Sequence, residues 1–147
     1  MQKTADELRA LIAIVEMAAP VVAWQEAYAP GKWRRVQMLG HLVDSASNNH
    51  QRFVRALQQD SLEFPGYEQE GCVRVQEYDS FGAEPLLELW KAYNRLIAHV
   101  MERIPEAQRS TPCRIGDNEE CTLEFLVVDY NRHIRHHLKQ ILPENAL

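Results

Sequence analysis

Apolar residues recur along the chain at the three- and four-residue intervals of an α-helix, and they do so in four separate stretches. In the first, about residues 5 to 27, Leu8, Leu11, Ile12, Val15, Ala19 and Val22 form one stripe. Thr4 and Glu7 supply a T-x-x-E capping box at its start. Pro20 falls inside this stripe and predicts a kink or a division, because proline lacks the backbone donor and crowds the preceding turn. The second stretch, about 34 to 58, sets Val36, Leu39, Leu42, Val43, Ala46, Phe53, Val54 and Leu57 on one side. The third, about 83 to 104, is entered through Pro85 and closed by Pro105, with Leu86, Leu89, Trp90, Tyr93, Leu96, Ile97, Val100 and Ile104 as its stripe. The fourth opens at Thr122 as N-cap, carries Glu124 where the helix dipole favours an anion, and runs to about Leu142 before Pro143. No stretch sustains the two-residue alternation of a half-buried strand, so the pattern predicts an all-α four-helix bundle.

The connections constrain the topology. A few residues separate the first two helices, which are therefore expected to be antiparallel neighbours. Between the second and third lie 24 residues, Gln59 to Gly82, more than a hairpin requires. A helix of about 25 residues is roughly 37 Å long, and 24 extended residues reach up to about 79 Å. The connection can thus cross the length of the bundle, leaving the second and third helices parallel. Phe64, Pro65, Tyr67, Tyr78 and Phe81 give this strap aromatic surface to pack with, as structural bracing or as a substrate-covering loop.

Composition narrows the function classes. With 147 residues, 46% of them hydrophobic and 25% charged, one domain spanning residues 1–147 is expected. No apolar run approaches the roughly 20 residues of a membrane span, and the N-terminal residues lack a signal-peptide layout, so a cytoplasmic location and no membrane partner are expected. Cys72, Cys113 and Cys121 are odd in number and form no C-x-x-C pair, which points to reduced thiols. A net charge of -5 argues against nucleic acid as a partner, and Lys32-Trp33-Arg34-Arg35 fits a solvated helix start.

Histidines carry the candidate chemistry. His133 and His137 stand four residues apart in the last helix, so their imidazoles project one above the other and can reach a single ion. His137 falls within the apolar stripe, His133 on its edge, and His136 points away. The residues between the pair are Ile134, Arg135 and His136, so the glutamate that H-E-x-x-H metalloproteases use as general base is missing. An open metal site wants a third protein ligand, and the second helix offers His41 or His50, nine residues apart and on nearly opposite faces. Periodicity favours His50, which shares the apolar stripe. His41 groups with Asp44, Ser45, Asn48, Arg52 and Arg55, either in solvent or along a cavity. The spacing leaves both open.

Trp33, the run Gly40-His41-Leu42-Val43-Asp44-Ser45, and His133-x-x-x-His137-x-x-Gln140-Ile141 occur in the order seen in the DinB-like proteins. The chain resembles that family over essentially its whole length. The family comprises bacterial four-helix metalloenzymes and includes bacillithiol S-transferases and relatives of mycothiol-dependent isomerases. The resemblance implies a divalent metal ion held by His41, His133 and His137, in place of His50, a bundle with parallel second and third helices, and a homodimer. Imidazoles alone do not choose among zinc, nickel and manganese. An ion with an open position can acidify a water or a thiol. The implied function is therefore hydrolysis of a small molecule, or transfer of a low-molecular-weight thiol onto an electrophile. Asp44, one turn beyond His41, is a candidate to orient an imidazole or accept a proton, or else a carboxylate paired with Arg52 or another nearby cation. The alternative from another class is a non-catalytic helical dimer whose histidines hold metal structurally or hold none.

Overall fold

The computed structural model describes residues 1–146. In chain order its elements are α1 (Gln2–Ala18), α2 (Arg35–Ala56), β1 (Leu62–Phe64), α3 (Gln69–Gln76), α4 (Tyr78–Phe81), α5 (Ala83–Glu102), β2 (Pro112–Ile115), β3 (Cys121–Thr122) and α6 (Leu123–Ile141). The four long helices are the four periodic stretches, and together they form a four-helix bundle.

The expected boundaries fail at the first helix. α1 begins at Gln2, so Thr4 lies inside it and no capping box forms. It also stops at Ala18, well short of residue 27, and Pro20 sits in a single 3-10 turn, Ala19–Val21. The fourth helix starts as predicted: the Thr122 hydroxyl oxygen accepts the Phe125 N–H at 3.1 Å. At α2, the Gln37 side chain accepts the Arg34 N–H at 2.8 Å.

Because α1 ends early, the link to α2 is long enough to cross the bundle. Helices α1 and α2 are consequently not neighbours: each packs against both α5 and α6, and the two face each other diagonally. The polar contacts fix the directions. Arg9 meets Glu102 while Glu16 meets Lys91, so α1 and α5 are antiparallel. His41 meets His137 while Phe53 meets Tyr130, so α2 and α6 are antiparallel too. The expected parallel course of α2 and α5 is present: Tyr78, just before α5, lies on Gly40 near the start of α2, whereas Gln108, beyond α5, donates to the Leu57 carbonyl at the end of α2.

Leu8, Leu11, Trp90, Ile97, Leu123 and Ile134 are among the buried side chains that fill the bundle. The long connection is packed bracing. Its α3 and α4 lie along α2, and the Tyr78 ring rests where Gly40 has only hydrogen; a Cβ there would fall inside the ring. A three-stranded sheet, which no periodicity announced, closes the end where α2 stops and α6 begins. β1 runs parallel to β2 with Leu62 opposite Cys113, and β2 runs antiparallel to β3 with Cys113 opposite Cys121. Strands of three, four and two residues are too short for alternation to register. Among the described residues no helix is long and apolar enough to cross a membrane.

Candidate metal centre

Helix α2 is covered on two sides, by α5 and by α6. The stripe that looked polar is therefore partly buried as well, at His41 and Ser45. His41 on that second stripe has no exposed surface. It faces His133 and His137, which the i, i+4 spacing on α6 stacks one turn apart. One nitrogen from each of the three imidazoles lies within 4.8 Å of the others. His50 is elsewhere, packed edge-on against Tyr93 of α5. The structure thus brings together the trio that the family resemblance implied and separates it from the residue that periodicity favoured.

The ring orientations select which nitrogens converge. His137 places Nδ1 3.0 Å from the Gln140 Oε1, an acceptor, so Nδ1 carries the proton and Nε2 is left bare. His133 Nδ1 lies 3.3 Å from the Ser45 hydroxyl. His133 Nε2 and His41 Nε2 are 3.2 Å apart. Two nitrogens bound to one tetrahedral zinc at about 2.05 Å would be roughly 3.3 Å apart, so this spacing fits a shared cation. His41 Nδ1 is buried with no protein partner. Trp33 packs against the His41 ring at 5.4 Å between centroids.

Electrostatics favour the ligating form. Burial, reinforced by the neighbouring His137, pulls the His41 pKa down to about 4. Burial, then His137 and His41, pull His133 down to about 3. His137 is lowered as well, again chiefly by burial. All three are neutral near pH 7, the state in which imidazole binds metal.

A cavity of about 390 Å³ opens beside the trio, with His133, Ser45, Asn49, Arg52, Tyr67 and Asp129 supplying polar groups to its wall. That volume is within the range of small-molecule sites. Asp44 does not face it. Its Oδ1 accepts hydrogen bonds from the Tyr78 hydroxyl at 2.7 Å and from the Gln76 amide at 2.8 Å. Its hydrogen bonds go neither to an imidazole nor to Arg52. Asn48 donates to the Asp44 carbonyl, while Asn49, one position on, lines the cavity.

Sequence reasoning placed Ser45 on the His41 face but missed Asn49, although i, i+4 and i+8 spacing puts both there. It also missed Asp129, whose spacing to His133 and His137 is D-x-x-x-H-x-x-x-H. Tyr67 comes from the strap, and nothing in its local sequence distinguishes it.

A family model described as the DinB superfamily matches residues 2–141. The chain is 27% identical over 116 residues to a "Putative metal-dependent hydrolase" of Oceanobacillus iheyensis, a match covering 79% of this chain and 66% of that protein. A protein of the same description from Geobacillus thermodenitrificans is 27% identical over 116 residues, covering 78% of this chain and 65% of its own. The chain thus spans just under two thirds of the length of the curated relatives it matches. Among solved structures, YfiT from Bacillus subtilis, described as "a probable metal-dependent hydrolase with an unusual four-helix bundle topology", superposes with a TM-score of 0.84. The likeness covers 95% of this chain and 82% of that one at 22% identity, and shows a shared fold.

Proposed function

The chain belongs to the DinB superfamily, and from that premise we propose that it is a metal-dependent hydrolase of a small molecule, with His41, His133 and His137 holding one divalent ion, zinc, nickel or manganese. The convergence of the three imidazoles within 4.8 Å carries this reading. Three neutral ligands leave the ion's charge uncompensated, so that when bound it supplies Lewis acidity to a water or substrate oxygen.

The chain's own residues do the rest. Gln140 fixes the His137 tautomer, and Ser45 steadies the His133 ring from across the seam. The cavity beside His133 receives the substrate. Asp129, one turn before His133 and on the same wall, takes the proton released during hydrolysis. Asp44 is a positioning residue: through Gln76 and Tyr78 it fastens the strap to α2 next to His41.

Transfer of a low-molecular-weight thiol is a second reading, and the pairing of Asp129 with Arg132 favours it. With one Asp129 oxygen occupied by Arg132, a thiol, whose pKa lies near 8.5 against 15.7 for water, is the nucleophile that needs less help to lose its proton. Asp129→Asn separates the two: hydrolysis would fall by about 100-fold, the usual contribution of a general base, whereas thiol transfer would be nearly unchanged. A homodimer is the proposed assembly. Exposed Leu89 and Leu96 on α5 support it, and light scattering tests it.

The decisive experiment is metal analysis of protein purified without an affinity tag, beside His133→Ala. The expected result is one equivalent of divalent metal in the native protein and none in the variant. No stoichiometric metal in the native protein, or full metal in the variant, would overturn the three-histidine site.

A further inference from the structure

The cavity beside the histidines has in its wall a cation that forms no ion pair among the described residues. Arg52 lies on the same face of α2 as Ser45 and Asn49, half-buried in the cavity wall. Its nearest hydrogen-bond acceptor is Asn49 Oδ1, at a long 3.4 Å from Nη1. Its Nε is buried with no protein partner. Among the described residues no carboxylate lies within ion-pair distance; Asp129, on the opposite wall, is paired with Arg132. The guanidinium is positioned 5.7 Å from the centre of the Phe64 ring, a contact that orients it without using its donors. Buried arginines that serve structure have their donors taken up by carboxylates or carbonyls, since an unsatisfied buried donor costs stability. Apart from the long contact of Nη1 with Asn49, the terminal nitrogens of Arg52, in the wall of a cavity of about 390 Å³, have no hydrogen-bond partner among the described residues.

We propose that Arg52 is the recognition residue for a carboxylate on the substrate, so that the cavity takes a carboxylate-bearing small molecule whose other end reaches the three imidazoles. The planar fork of guanidinium donors matches the two oxygens of a carboxylate. A phosphate dianion fits less well, because a single cation would face it while Asp129 and Glu119 line the same cavity with negative charge. Distance sets the length of the molecule. Ser45, which touches His133, precedes Arg52 by seven residues, roughly 10 Å of helix. The Arg52 side chain leans back toward the start of α2, which shortens the gap. The carboxylate is therefore within about 10 Å of the reacting group, a separation of a few carbon atoms.

This inference rests on the cavity being the substrate site of the proposed hydrolase, but its test does not need the metal. In metal-free protein, the Nε–H resonance of Arg52 is followed by nitrogen-15 NMR while glutarate is added, with the neutral isostere glutaramide and inorganic phosphate as comparisons. The expected result is a saturable shift with glutarate, none with glutaramide, and weaker binding of phosphate. Arg52→Gln should weaken glutarate binding by about tenfold or more, and Arg52→Lys, which keeps the charge but not the fork, by less. Absence of a saturable shift, an equal response to glutaramide, or undiminished glutarate binding by Arg52→Gln would overturn the assignment. Tighter binding of phosphate would overturn the carboxylate. The wild-type titration alone decides these points should the variants fold poorly. Failure of the three-histidine site would show in the metal analysis and leave this titration unaffected.

Discussion

Two sets of polar groups in the bundle are finished differently. Around α5, Lys91 donates to Glu16 and Glu88 at 2.8 and 2.7 Å, the Tyr130 hydroxyl donates to Asn94 Oδ1 at 2.7 Å, and the Asn94 amide donates to the Trp90 carbonyl at 2.8 Å. Along the seam of α2 and α6, His41 Nδ1 and Arg52 Nε have no protein partner, and two imidazole nitrogens face each other at 3.2 Å. A polar group buried for structure is ordinarily given its partner, because leaving it unmatched costs about 1–3 kcal/mol; around α5 the Trp90 Nε1 goes without one. The seam forgoes that stabilisation. What distinguishes the two clusters is whether the remaining partners come from the chain or from outside it.

Supplying the outside partner tests this contrast most strongly. Zinc added to metal-free protein at a free concentration 100 times its dissociation constant should raise unfolding stability by about 2.7 kcal/mol, measured by urea titration, and should not stabilise His133→Ala. Removing an inside partner comes next. Tyr130→Phe leaves Asn94 Oδ1 without its donor and should cost about 1–3 kcal/mol whether or not metal is present. Equal sensitivity of both variants to zinc would erase the distinction.

Acid should act on the seam as well. His41 and His133 titrate at about 4 and about 3 in the folded chain, against an ordinary 6.5. As pH falls below 6.5 the unfolded chain takes up protons that the folded chain refuses, so metal-free stability declines toward pH 4 and the histidine contribution levels off below the folded values. Urea midpoints at pH 7, 5.5 and 4.5 measure the decline, and subtraction of the same series for His41→Leu isolates the part due to that imidazole. The smallest effect expected is that of His41→Leu itself at pH 7 without metal. An unpartnered buried nitrogen is replaced by an apolar group, so stability should stay within about 1 kcal/mol of the native protein while metal binding is lost.

Sequence periodicity located α2, α5 and α6 to within two residues at each end, because each carries a long apolar stripe and a clear stop or start, such as Thr122 at α6. It overran α1 because the stripe continues through Val22, which is indeed buried, whereas the backbone leaves the helix at Pro20. The diagonal placement of α1 and α2 followed from that early stop and was not legible beforehand. The choice between His41 and His50 failed on periodicity for a related reason: a helix buried on two sides has two inward faces, and only one of them need be apolar. The His133–His137 spacing was readable locally, since both histidines share one helix. Asp129 was readable by the same spacing and overlooked. Arg52 was placed on the polar face of α2, but its lack of a partner depends on what α6 and the sheet present to it, which is tertiary information.

The Gly40–Tyr78 contact has a consequence for how such a chain can drift. Replacing an interior helical glycine with alanine ordinarily gains roughly 1 kcal/mol. At position 40 that common and otherwise favourable change would expel the ring whose hydroxyl holds Asp44, one turn beyond His41. Positions 40 and 78 are therefore sterically coupled: a bulkier residue at the first becomes admissible only after the aromatic ring at the second is gone. A lineage that takes this route keeps its bundle but must find another way to fasten the strap over the histidines.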